Sequence, residues 1–252
     1  MDTGLYALIR SKRILLLTFN AQFNPMETPA LFKDVFNVNS VSELSSLILK
    51  VYPQLSGEKF VSEATKAFPN QEFKERSNAI TSALETHLPT NFKDSGQIIL
   101  DTLNSIPIAG QLNWRGFTLM SLGTFVELHG LSENDLELSF EALYELTKRF
   151  TAEFAIRSFV INHHTYTMKK LQLWTSDENE HVRRLCSEGT RPRLPWAQKI
   201  PDHIENPAHT FFLLANLMND TSLYVRKSVA NHLNDISKDN PELLLNFLND
   251  YK

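Results

Sequence analysis

Apolar residues recur at three- and four-residue intervals along nearly the whole chain, while strand-like alternation is scarce and β-branched clusters are few. This period predicts helices over 40–52, 57–68, 71–87, 91–104, 115–129, 133–148, 151–161, 163–175, 180–188, 207–219, 222–237 and 241–250. Polar residues at capping spacing mark several starts. Ser40-Val-Ser-Glu43 reads as a capping box, and Ser132-Glu-Asn-Asp135 as a weaker acidic version. Asn240-Pro241-Glu242 places a cap residue before a proline at the first helical position. The longest apolar run, Ile14 to Phe19, falls far short of the ~18 residues of a membrane helix and lacks the flanks of a secretory signal. The pattern is that of an all-α chain of paired helices.

The pairs repeat. Asp177-x4-Val182-Arg183-Arg184 returns 43 residues later as Asp220-x4-Val225-Arg226-Lys227. An acid, four residues, Val-Arg and then a helix resembles the second helix of a HEAT repeat, whose period is ~40–47 residues. An earlier pair over 133–161 has the same two-helix shape without the acid. Between the two copies lies a non-helical insert from Gly189 through Trp196 to Pro201, with three prolines and two arginines. Proline locks φ, so a stiff loop is expected there. Repeats stacked this way form a HEAT-like solenoid, an α-α superhelix, whose concave groove is lined by the second helix of each pair.

Composition fits a folded chain: 252 residues, 42% hydrophobic and 21% charged, argue for a substantial core and against disorder. The net charge is only −4, but its distribution is uneven. Residues 148–200 carry a net +5, against −6 before them and −3 after. The basic stretch also holds Trp174 and Trp196, and basic plus aromatic residues suit a polyanion. The single cysteine, Cys186, excludes an internal disulfide and a Cys-based zinc site. A reducing cytoplasm is the simplest compartment. Eight histidines, His163-His164 included, show no metal-ligand spacing, so no metal is expected. Trp114, Trp174 and Glu127 read as structural, and Cys186 as an inert core residue.

The candidate chemistry lies on the polar faces of three helices. In 180–188, Val182, Leu185 and Cys186 form the apolar stripe, which leaves Arg184 and Glu188 together at i,i+4 on the other side. In 222–237 the stripe is Val225, Val229, His232 and Ile236, and Asn231 and Asp235 form the pair. In 151–161 the pair is Glu153 and Arg157. Taken singly, each Glu/Arg pair is an ordinary surface salt bridge worth ~0.3–0.5 kcal/mol, and Asn231 and Asp235 can simply bond a neighbouring repeat. Stacking brings Glu153, Glu188 and Asp235 to one wall, with Arg191, Arg193 and Trp196 of the insert above it. Carboxylates inside a basic groove repel phosphate, which points to a cationic substrate. A nucleobase alkylated at a ring nitrogen is one. Its departure needs no general acid, because it leaves neutral, and a carboxylate can stabilise the oxocarbenium-like sugar and position water. A tryptophan can pack on the lesion nucleotide. Arg157, Arg184, Arg191, Arg193, Arg226, Lys227 and Asn231 are the expected DNA contacts.

Three stretches carry a resemblance: Arg149-Phe-Thr-Ala-Glu-Phe-Ala-Ile-Arg-Ser-Phe159, His181-Val-Arg-Arg-Leu-Cys-Ser-Glu-Gly-Thr-Arg-Pro-Arg-Leu-Pro-Trp196 and Tyr224-Val-Arg-Lys-Ser-Val-Ala-Asn-His-Leu-Asn-Asp-Ile-Ser-Lys-Asp239. They resemble the AlkC branch of the AlkC/AlkD HEAT-like DNA glycosylases, with weaker similarity back to about Met26. The resemblance implies hydrolysis of the N-glycosidic bond of cationic N-alkylated bases, chiefly 3-methyladenine, with no metal and no organic cofactor. It implies duplex DNA as partner without full base flipping, unlike most base-processing enzymes. The family's active-site positions fall on Glu153, Glu188, Trp196 and Asp235, with Arg184 close by. Ser158 stands where the family usually has proline, and Cys186 where it has a small apolar residue. Residues 26–252 are expected to form a single HEAT-like domain, with 1–25 an extension outside it and no immunoglobulin-like domain after the repeats. A monomer in the cytoplasm, acting at the nucleoid and needing neither membrane nor obligate protein partner, completes the expectation. The alternative is a non-catalytic HEAT scaffold that binds DNA or protein.

Overall fold

The computed structural model describes residues 31–108 and 114–250. The expected extension over 1–25 and the side chain of Trp114 lie outside the described residues. The described elements are helices, with no strand among them: α1 Val38–Val51, α2 Gly57–Thr65, α3 Phe73–His87, α4 Phe92–Asn104, α5 Met120–His129, α6 Leu136–Thr147, α7 Ile156–Asn162, α8 His164–Trp174, α9 Glu180–Glu188, α10 Pro201–Glu205, α11 Ala208–Leu217, α12 Leu223–Asp239 and α13 Pro241–Asp250. They stack as a two-layer helical repeat. One layer runs through α1, α4 and α6 and then α8 and α11; the other runs through α3, α5 and α7 and then α9 and α12. Apolar side chains from both layers, among them Phe140, Ile156, Phe159, Leu185, Leu213 and Val225, form one continuous core.

Several starts differ from those the pattern predicts, each for a local reason. The cap of α1 is Asn37, not Ser40. Asn37 and Ser40 exchange side-chain bonds with each other's backbone N–H at 3.0 Å, which puts Ser40 inside the first turn. Ser132 makes no capping bond, and Glu133–Asp135 wind as a short 3-10 turn before α6. Pro241 does open α13, but the Asn240 amide donates to the Ile204 carbonyl at 2.7 Å instead of capping. The helix expected from 151 begins only at Ile156. Thr151 Oγ accepts from Glu153 N at 3.3 Å and donates to Glu153 Oε2 at 3.1 Å, a local turn that competes with helix. α10 is an addition: Pro201 closes the insert and starts a helix.

The repeated Asp-x4-Val-Arg motif is a stacking clamp. Arg183 Nη1 donates to the carbonyls of Asp177 and Glu178 at 2.8 and 3.0 Å, folding the loop that precedes its own helix. Its Nε and Nη2 reach the next repeat and bind both oxygens of Asp220 at 2.7 and 2.9 Å. That bidentate pair raises the Arg183 pKa and lowers that of Asp220. Arg226 repeats the inner hold on the carbonyls of Asp220 and Thr221.

Two histidines pin the carbonyls around the insert from within the core. His203 Nδ1 bonds Thr190 O and His232 Nδ1 bonds Ser187 O, both at 2.9 Å, and both residues are buried. Burial pushes His203 down to about 4 and His232 down to about 3. Both are therefore neutral when folded, while in the unfolded chain each titrates near the ordinary histidine value of 6.5. The stability they confer is complete above that value and is lost as pH falls through the window toward 4 and 3. Linkage gives a loss of about 2 kcal/mol for each by pH 5. Denaturant midpoints measured from pH 7 to 5 should fall accordingly, and a flat profile would contradict the burial of both rings.

Candidate active site

On α9, the buried stripe of Val182, Leu185 and Cys186 turns Glu188 toward α12 at the helix end. Glu188 Oε1 accepts from Arg191 Nη1 at 2.6 Å and lies 3.5 Å from Arg184 Nη2. Its Oε2 accepts from Ser228 Oγ of α12 at 2.6 Å. One turn along α12 from Asn231, Asp235 Oδ2 accepts from Arg191 Nε at 2.8 Å and Oδ1 from Lys238 Nζ at 2.9 Å. Glu153, in the turn before α7, pairs with Arg184. The three carboxylates thus converge, and they do so as one alternating series: Glu153, Arg184, Glu188, Arg191, Asp235, Lys238.

The charges in this series sustain each other. Burial alone would push Glu188 up, but the Arg184 and Arg191 guanidiniums and the Ser228 hydroxyl outweigh it and hold the carboxyl below its usual range. Burial likewise works against both arginines, yet Glu153 and Glu188 raise Arg184, and Glu188 and Asp235 raise Arg191. Tyr224 of α12 places its ring 5.2 Å from the Arg184 guanidinium, and burial pushes its own pKa up.

The insert is held in place by more than its prolines. Arg157, 0% exposed, reaches into it from α7. Its Nε donates to Gln198 O at 2.7 Å and its Nη1 to Gly189 O and Arg191 O at 3.0 and 2.7 Å. Burial pushes Arg157 down to about 10, so it remains charged at neutral pH. The loop leaves α9 through Gly189, where a Cβ would stand 2.5 Å from Ile156 Cγ2. Beside Arg157, Ser158 Oγ donates to Glu127 Oε1 at 2.6 Å and accepts from Gln198 Nε2 at 2.8 Å. Burial raises the Glu127 pKa.

Trp196, at the outer end of the loop, is 66% exposed and has φ of 66°. A bulky residue in the left-handed region costs about 1–2 kcal/mol and persists only where its surroundings enforce it. Part of that enforcement is Lys74 of α3, whose ammonium takes the Trp196 carbonyl.

The expected DNA contacts divide. Arg157 does not pair with Glu153 and cannot meet phosphate, because it is fully buried and its donors are spent on carbonyls of the insert. Arg191 is likewise enclosed, between Glu188 and Asp235. Arg184 belongs to the carboxylate series. Arg193 lies at the rim in a bidentate pair with Asp239 at 2.7 and 2.9 Å. Arg226 is half-buried on loop carbonyls, while Lys227 and Asn231 are exposed on α12. Trp174 is half-buried and packs against the core through Phe140 and Tyr144 at 5.8 and 5.4 Å. Thr151, Ser228, Tyr224, Lys74 and Lys238 are members of the site that the pattern of the chain does not single out. Only Lys238 carries a signal, three residues after Asp235 on the same helix. Among the described residues, no group of three or more His, Cys, Asp or Glu is arranged to hold a metal ion.

A family model described as DNA alkylation repair enzyme matches residues 150–252. Bacillus subtilis (strain 168) carries an uncharacterized protein, YhaZ, that is 37% identical over 213 residues, 84% of this chain and 57% of the relative. Among solved structures, the Pseudomonas fluorescens alkylpurine DNA glycosylase AlkC, bound to DNA containing an abasic site analog, superposes with a TM-score of 0.76 at 34% identity. That match covers 86% of this chain and 58% of the other. The chain therefore spans somewhat under three-fifths of the length of each.

Proposed function

Because the chain belongs to the AlkC branch of the DNA alkylation repair enzymes, we propose that it is a DNA glycosylase acting on cationic N-alkylated bases in duplex DNA, chiefly 3-methyladenine, without fully flipping the base. The observation that carries this reading is the convergence of Glu153, Glu188 and Asp235 from three successive repeats, beside a loop that holds Trp196 exposed.

In the proposed reaction the C1′–N bond breaks with its electron pair passing to the base, which neutralises the base's positive charge. The positive charge moves to the sugar, where Glu153 and Asp235 stabilise it. A water oxygen then bonds C1′, and its proton passes to a carboxylate or to solvent. No general acid is needed, so ionised carboxylates suit the step. Glu188, bonded on both oxygens, adds negative potential and fixes Arg184 and Arg191. Trp196 packs on the lesion nucleotide, and the exposed Lys227 and Asn231 and the rim residue Arg193 take the backbone contacts in this reading. Among the described residues no helix is long and apolar enough to cross a membrane. We take the working form to be a monomer on DNA in the cytoplasm.

A single-turnover assay on N-methylated duplex DNA tests this reading. Release of free 3-methyladenine with matching abasic sites is the expected result. DNA binding without release would favour the scaffold alternative.

A further inference from the structure

Asp235 is almost fully enclosed. Its side chain is 4% exposed, and both carboxylate oxygens are occupied by cations. Arg191, on Oδ2, cannot leave: it is buried, its Nη1 is bonded to Glu188, and its carbonyl is held by Arg157. Lys238, on Oδ1, is different. Its side chain is 60% exposed, and its only hydrogen-bond partner among the described residues is Asp235. An i,i+3 pair with one exposed member is weak and easily exchanged.

A carboxylate capped by two cations is poorly placed to stabilise a third. For Asp235 to face a developing sugar cation, one oxygen must be uncovered, and only Lys238 can move without dismantling the buried series. We propose that Lys238 is a removable cap on Asp235. On DNA whose sugar carries positive charge, its ammonium exchanges Asp235 Oδ1 for a backbone phosphate, and the same movement exposes the carboxylate toward the sugar. Engagement of the backbone and readiness of the site are then a single event. Lys238 is a positioning residue in this scheme, acting on the sugar only through Asp235. The inference rests on the glycosylase reading.

The test compares duplexes holding a cationic pyrrolidine abasic analogue with duplexes holding the neutral tetrahydrofuran analogue, across a salt series. Wild type should prefer the cationic analogue. In Lys238→Met the preference should rise roughly tenfold, the scale of removing one charge that opposes the ligand at a partly solvated site. The salt slope for the cationic analogue alone should fall by about 1, because only on that duplex does wild-type Lys238 neutralise a phosphate. Lys238→Arg, which keeps a cap, should retain the wild-type preference. A smaller slope with an unchanged preference would make Lys238 a phosphate ligand alone and overturn the cap. A lower preference in Lys238→Met would overturn it in the opposite sense. Equal affinity in wild type with a preference emerging in Lys238→Met supports the cap. Equal affinity in both proteins defeats the glycosylase reading and the cap with it.

Discussion

Glu153→Gln and Asp235→Asn are each expected to slow single-turnover base release by about 10²-fold, the scale of losing one preorganised electrostatic interaction in a transition state. Each substitution keeps the size of the side chain and a carbonyl that can still accept from Arg184 or Arg191. Only the charge is removed. The reaction proposed here gives that charge an unusual weight, because the leaving base carries its own positive charge and needs no acid. What remains for the protein is the field at the sugar. Asp235 is buried, so little solvent screens it. Glu188→Gln should behave differently. Glu188 is the countercharge of both Arg184 and Arg191, and its neutralisation should lower Tm as well as rate. Quenched-flow or manual single-turnover kinetics, with Tm as control, separate the two behaviours. Full rates in both Glu153→Gln and Asp235→Asn would end the electrostatic mechanism, whatever the family.

Helix periodicity is legible wherever a stripe of apolar residues runs for three turns. α9 spans the range its pattern implies, and face arithmetic on α9 and α12 puts Glu188 and Asp235 toward one side. The same arithmetic fails for Glu153 and Arg157, because it assumes a helix through both. The Thr151 hydroxyl instead bends Glu153 into a turn, which frees it to meet Arg184 from the next repeat. Arg191 misleads for another reason. Loop arginines are ordinarily solvated, since a buried loop would strand its carbonyls. Here Arg157 supplies those carbonyls with donors from below, so the loop is drawn inward and carries Arg191 between two acids. That arrangement depends on two arginines 34 positions apart, and no local pattern announces it. Trp196 is legible as a residue type beside a basic run, but its left-handed backbone is not, because nothing in Leu-Pro-Trp-Ala requires it.

Arg157→Met is expected to destabilise the protein by about 3–5 kcal/mol, the range for losing a buried charged group whose partners stay behind. The carbonyls of Gly189 and Arg191 would each lose a buried donor, and an unsatisfied buried acceptor costs about 1–3 kcal/mol, while the half-buried bond to Gln198 is lost as well. For a chain of this size the loss corresponds to a fall in Tm of roughly 10 °C. Activity should fall further than stability alone predicts, since the released loop carries Arg191 away from Glu188 and Asp235 and removes the support of Trp196. Arg157→Lys should be intermediate, because one ammonium cannot span the carbonyls that the planar fork reaches. The opposite assignment, a phosphate ligand, predicts a different pair of results: an unchanged Tm and a DNA affinity that weakens with a smaller salt slope. Thermal melts and salt-dependent binding on Arg157→Met therefore decide between the two. A stable variant with weakened DNA binding would return Arg157 to the DNA surface and leave the 189–200 loop without its main anchor.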